Sequence, residues 1–205
     1  MPVGVPKVPF QGPGDEDASW DDLYNRLYRL RVLFLGQRLD DKLMTNLITL
    51  LVYLNMQDDD KEDISMFINS PGGWLTSGII IYDMMRLVQP EVRTICLGEA
   101  ASTAAFVLLG GEITKRLAFP HARVMMHQPA ADLYQKTKTG GYVMELNEVK
   151  LMYDYVIDCY VQKTGKPKYV ITEDMKKDEF IGPEEAQAYG IIDEILCEKN
   201  KLKLI

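Results

Sequence analysis

A chain of 205 residues, 47% hydrophobic and 26% charged, has apolar mass enough for one core, and its net charge of −7 leaves no basic, aromatic-laced surface for nucleic acid. Its three cysteines, Cys96, Cys159 and Cys197, make no CxxC pair and no disulfide framework, and no apolar run approaches the roughly eighteen residues that span a bilayer. The counts point to one globular domain, or one with an appendage, in a reducing compartment, without a nucleic-acid or membrane partner.

Residues 1–19 are rich in Pro and Gly and show no periodicity, so they read as a loop-like arm. The arm has no apolar signal core. Asp15, Glu16 and Asp17 also set it apart from an Arg-rich, acid-poor transit peptide. From about Asp21 the pattern alternates between helix-like and strand-like segments. RVLFLG reads as a strand, and from Asp40 a helix follows with Leu43, Leu47, Leu50, Leu51 and Leu54 on one face. ISMFINS is a second strand, ended by the breaker PGG. WLTSGIIIYDMMRLV is a helix, EVRTICLG a strand, ASTAAFVLLGG a helix and ARVMMHQP a further strand. Strands separated by helices imply right-handed crossovers and a largely parallel sheet, hence an α/β domain.

The segment from Tyr142 to Thr164 differs. Tyr142, Leu146, Val149, Tyr153, Val156, Ile157 and Tyr160 form one apolar stripe, which Met144, Leu151, Met152, Tyr155 and Cys159 widen. Gly165 and Pro167 end the helix. Two readings fit: a projecting element packed on another subunit, or a long helix lying across its own domain.

No phosphate-binding GxxxxGK[ST] loop, no GxGxxG and no HExxH occurs, so neither nucleotide nor metal is expected. His121 and His127, six residues apart in an apparent strand, would share a face but have no evident third ligand. In NSPGGWLTSG the glycines permit close backbone approach, and their N–H groups suit an oxyanion as well as a plain tight turn. Ser102, alone among alanines in GEAASTAAF, is either an N-cap or an exposed nucleophile with room for substrate beside it. His127 is a strand histidine or a general base, and Asp178, at a charged helix end, is a solvated carboxylate or a partner for that base. A cysteine nucleophile stays open but has no supporting pattern.

Taken together, INSPGG, GEAAS before a small-residue helix, RVMMHQP, TGKP, and KKDEF followed by EEAQAYGIID resemble the proteolytic subunits of ATP-dependent Clp proteases, over roughly residues 17–196. The arm MPVGVPKVPF, DEDASW and GGEITKRLAFPHARVM are further similar to the plastid-encoded branch of that family. The resemblance implies an α/β fold of the Clp protease and crotonase type, with repeated β-β-α and βαβ units and a protruding handle. It assigns residues 1–19 to an axial arm, 20–127 and 165–196 to the head, 128–164 to a handle of one strand and the long helix, and 197–205 to a tail. It makes Ser102 the nucleophile, His127 the general base, Asp178 the residue orienting the imidazole, and the backbone N–H groups of Gly73 and Thr103 the oxyanion donors. The implied function is a serine endopeptidase without cofactor, in two stacked rings. An AAA+ chaperone spends the ATP and feeds in unfolded protein. The expected location is the chloroplast stroma, with a bacterial cytoplasm as the alternative.

This chain departs from the family's habit in the charged, bulky AADLYQKTKTGG after HQP, in Thr103 where methionine is common, and in Ser65 and Phe67 on the strand before NSPGG. The bulky run implies a hetero-oligomer. Two other function classes remain beside the peptidase: a non-catalytic structural subunit of a mixed ring, and a crotonase-like acyl-CoA enzyme.

Overall fold

The computed structural model describes residues 4–10, 19–57, 62–128 and 139–197. The expected handle strand lies in the stretch 129–138, outside the described residues, as do parts of the arm and most of the tail.

The core of the molecule is a six-stranded sheet built from β3 (Val32–Leu35), β4 (Ile64–Ser70), β5 (Val92–Ala101), β6 (Arg116–Ala118), β7 (Arg123–Met125) and β8 (Glu194–Ile195). The order is β3-β4-β5-β6-β8, and every pairing is parallel. β5 is long enough to serve two partners: Thr94–Cys96 pair with β6, and Glu99–Ala101 pair with β7. β4 is buried at every position except Asn69, as a parallel strand covered on both faces must be.

The helices follow from local chemistry. α2 (Asp41–Met56) starts where the Asp40 carboxylate accepts from the Leu43 N–H at 2.8 Å, an N-cap. Leu47, Leu51 and Leu54 of the expected stripe are fully buried, each contributing roughly 2 kcal/mol by leaving water, and Leu43 and Leu50 pack at the margin. α3 (Leu75–Leu87) lies between α2 and the short α4 (Thr103–Leu109), all seven of whose residues are buried. On the sheet's other face Val32, Phe67, Ile95, Leu117 and Leu196 form a small second cluster with Leu27 and Leu30, in and just after α1 (Leu23–Arg29). Phe67 stacks there on Phe34, with ring centroids 5.5 Å apart.

The arm differs from the expectation of a loop. β1 (Lys7–Phe10) and β2 (Ser19–Asp22) pair antiparallel as a two-stranded ribbon, and the Arg26 guanidinium lies over the Phe10 ring. Pro6 and Pro9 hide a strand signal because each lacks a ladder donor, yet a two-stranded ribbon has edges that tolerate them.

The long helix α5 (Thr139–Thr164) starts three residues before the expected Tyr142 and measures about 39 Å. Its two halves live in different environments. Val156, Ile157, Cys159 and Tyr160 belong to the main core, whereas Val143, Met144, Leu146 and Leu151 are 42–71% exposed. α6 (Lys168–Asp174) and α7 (Pro183–Tyr189) then lead back to β8. Among the described residues no helix is long and apolar enough to cross a membrane.

A buried ion pair reinforces the ladder that joins the last strand to β6. Arg116, 3% exposed, donates to Asp193 from its backbone N, from Nε at 2.9 Å and from Nη2 at 2.6 Å, and its Nη1 reaches the Gly190 carbonyl. Burial alone would raise the Asp193 carboxyl, but the Arg116 hydrogen bonds and charge outweigh it and hold the group below its ordinary 3.8. The unfolded chain takes up a proton near that ordinary value, so the pair's contribution is complete above it and is lost as pH falls through the lower folded value. Asp193→Asn should cost on the order of 2–3 kcal/mol at pH 7, because it strands a buried guanidinium. Urea midpoints at pH 7 and pH 3 check both parts: the wild type loses stability between them, and the gap between wild type and variant narrows.

Candidate active site

Three strand ends meet at one edge of the sheet, where open α/β sheets place their ligand sites. β4 runs out at Ser70, and its hydroxyl ties the exit down by donating to the Gln37 carbonyl and accepting from the Gly72 N–H. Beyond Pro71, two residues in succession must be glycine. Gly72 has φ +87°, and a β-carbon there would lie 2.6 Å from the Ala101 carbonyl oxygen. At Gly73 a β-carbon would lie 1.9 Å from the Leu39 carbonyl oxygen, because Leu39 bridges to Gly73 while exchanging hydrogen bonds with Gly72 and Trp74. PGG is therefore more than a tight turn. It is where two other chain segments press against backbone.

β5 ends at Ala101, and Ser102 makes the turn into α4 with φ +53° and ψ −121°. That conformation costs a non-glycine residue on the order of 1–3 kcal/mol. The Ser102 N–H is fixed on the Met125 carbonyl at 2.9 Å, and its own carbonyl accepts from Ala105 and Phe106. The hydroxyl does not cap the helix. The bland reading of Ser102 as an N-cap fails on that point: the residue stands at the helix start, strained, and its oxygen makes no hydrogen bond among the described residues.

His127 follows β7 by two residues. The segment carrying Asp178 is laced to it, since Val124 and Ile181 exchange N–H···O bonds of 3.1 and 2.8 Å and the Gln128 N–H donates to the Met175 carbonyl. This lacing brings His127 Nδ1 to 2.5 Å from Asp178 Oδ1. An ionised carboxylate only accepts, so Nδ1 carries the proton and Nε2 keeps its lone pair for another donor. Asp178 is coil beyond α6 rather than part of a helix end, and its side chain is 71% exposed against 27% for His127. His121 sits in an exposed turn before β7, so the two histidines do not share a strand face. Among the described residues no cluster of His, Cys, Asp or Glu has the makings of a metal site.

Ser102, His127, Gly73 and Thr103 line one cleft of about 200 Å³. Its remaining wall is largely apolar, from Leu75, Phe106, Val156, Tyr160 and Met175, with Arg38 and Trp74 completing it. Among the described residues no hydrogen bond joins Ser102 Oγ to His127. Such contacts often tighten only when substrate is bound. The Thr103 N–H, first in its helix, has no intrahelical acceptor. The Gly73 N–H does have an acceptor: the Thr103 hydroxyl oxygen at 2.7 Å.

Sequence reasoning had placed Val156 and Tyr160 on an apolar stripe without seeing that they wall the cleft, and it had no signal for Arg38 or for the Thr103 side chain. Cys96 and Cys159 are poor candidates for a cysteine nucleophile. Burial, with Glu99 adding to it, pushes the Cys96 thiol up to about 12, and burial also raises Cys159, so neither supplies thiolate at neutral pH.

The sequence profile of the Clp protease family matches residues 14–199. Curated proteins named ATP-dependent Clp protease proteolytic subunit, from Lactuca sativa (56% identical), Eucalyptus globulus subsp. globulus (57%) and Nicotiana tabacum (57%), each align over 198 residues. That is 97% of this chain and the whole of each relative.

The glycine requirement is testable without assaying activity. Gly73→Ala meets a carbonyl oxygen and should lower stability by about 1–3 kcal/mol, whereas Gly36→Ala, with nothing within 4 Å of the added carbon, should melt within a degree or so of wild type. Scanning calorimetry of the two variants reads the difference.

Proposed function

The chain belongs to the Clp protease family and is a proteolytic subunit and serine peptidase, and we propose that it runs that chemistry through Ser102, His127 and Asp178. The observation that carries this assignment is the His127–Asp178 hydrogen bond facing the same cleft as a strained serine whose hydroxyl is unspent. Asp178 fixes the imidazole as the Nδ1–H tautomer and supports the imidazolium that forms in the reaction. Nε2 takes the Ser102 proton as Oγ attacks a peptide carbonyl, then returns it to the leaving amine. The N–H groups of Gly73 and Thr103 hold the oxyanion. Water, activated by the same histidine, releases the acyl-enzyme. The apolar wall favours an apolar side chain beside the scissile bond.

The chemistry calls for no cofactor, and ATP is spent by the partner. Family membership carries ring assembly with a Clp ATPase chaperone and a plastid location. The finer reading is two stacked rings of mixed subunits in the chloroplast stroma, receiving unfolded protein. The exposed Val143, Met144, Leu146 and Leu151 on the first half of α5 support a partner along that helix. The charged run AADLYQKTKTGG supports partners that are not all identical. A non-catalytic ring subunit is the second reading, favoured by one observation, the missing Ser102–His127 hydrogen bond.

In the assembled complex, Ser102→Ala should remove this subunit's share of the cleavage of a short fluorogenic peptide, a loss of about 10³-fold or more at its own site, with the sedimentation coefficient unchanged. Unchanged turnover would move this chain to the scaffold reading.

A further inference from the structure

The acceptor on the Gly73 N–H opens a question that the backbone assignment leaves unanswered. An amide that stabilises an oxyanion needs it about 2.7–3.1 Å from nitrogen, along the N–H direction. Thr103 Oγ1 already sits at 2.7 Å on that donor. One N–H cannot give a full hydrogen bond to both. The resident hydroxyl and the arriving oxyanion compete for one place.

The hydroxyl is not there by free rotation of a surface side chain. Thr103 is 5% exposed. Its Cβ and Cγ2 lie 3.1 and 3.5 Å from where a β-carbon on Gly78 of α3 would stand, so the side chain fills the space that glycine leaves. A β-carbon on Gly72 would lie 3.0 Å from Oγ1 itself. Two glycines and the α3–α4 contact thus make a slot that holds the threonine with its oxygen facing Gly73. A branched side chain has few rotamers to leave by.

We propose that the Thr103 side chain is a positioning residue of the oxyanion hole: its hydroxyl stands in for the oxyanion on the Gly73 N–H in the resting site and must be displaced before the hole can hold the tetrahedral intermediate. The proposal rests on the reading of Gly73 and Thr103 as the two donors. In the resting site the hydroxyl keeps a part-buried amide satisfied and the PGG loop in register, which an open hole would leave to water. In the reaction it weakens one donor at the moment that donor matters. The same residue therefore preserves the hole and throttles it.

Thr103→Ala and Thr103→Ser in the assembled complex separate this role from packing. Both remove the γ-methyl, but only alanine removes the acceptor. The readouts are kcat and KM for a short fluorogenic peptide, and the dissociation constant of a peptide boronate. Ser102 Oγ adds to the boron of that probe, giving a tetrahedral anion that places oxygen in the hole. Alanine should bind the boronate roughly five-fold tighter and raise kcat by a similar factor, with KM moving less than two-fold, while serine stays within two-fold of wild type. Should alanine fail to assemble, Thr103→Cys, a weak acceptor, should move boronate affinity in the same direction. Alanine and serine shifting together, or alanine no better than wild type, overturns the proposal. A wild-type complex that neither cleaves peptide nor binds boronate overturns the triad reading, and this proposal with it.

Discussion

Backbone pressed against backbone at Gly72, Gly73 and Ser102 is the constraint from which the rest of the site follows. Leu39 reaches Gly73 so closely that no β-carbon fits, the Ala101 carbonyl excludes one at Gly72, and Ser102 turns at φ +53° with its amide fixed on Met125. Each contact costs conformational freedom or strain, offset by a buried parallel sheet and an entirely buried α4. The result is a close-packed edge at which Gly73, Ser102 and Thr103 line a shared cleft. Electrostatic catalysis depends on donors fixed before charge appears, and close packing is how a chain fixes them.

Much of this was legible in the sequence, for reasons that can be named. β4 and α2 carried strong signals: a continuous apolar strand, and a leucine stripe beginning at Asp40. NSPGG and the lone serine among alanines marked places where small residues are needed, and the resemblance gave them roles. What stayed hidden depends on the third dimension. The strand content of Lys7–Phe10 was masked by prolines that a ribbon edge accommodates. The three-residue β6 and two-residue β8 are too short to show a period. Val156 and Tyr160 belonged to a stripe that fitted another subunit or this domain equally, because periodicity finds an apolar face without saying what covers it; in the fold they wall the cleft. The Gly73–Thr103 bond joins residues thirty apart and has no sequence signature.

The distribution of exposure links the site to assembly. Asp178, the outermost of the three proposed catalytic side chains, faces solvent in the single chain, and the first half of α5 exposes apolar residues that a lone domain would bury. A carboxylate in water orients an imidazole more weakly than one shielded from it. Packing partners along the helix that leads from the His127 segment into the core would change the surroundings of His127 and Asp178 together. Geometry inside one subunit is therefore the frame of the proposed site, and a partner along α5 would shield what the single chain leaves in solvent.

The central claim is that Ser102 is a competent nucleophile held by this frame. Labelling with a fluorophosphonate, located by peptide mapping, tests it most directly when applied to the native complex with Ser102→Ala alongside. The account predicts a phosphonyl adduct on the peptide containing Ser102 and none in the variant. An unlabelled Ser102 in a complex whose other subunits react would contradict it.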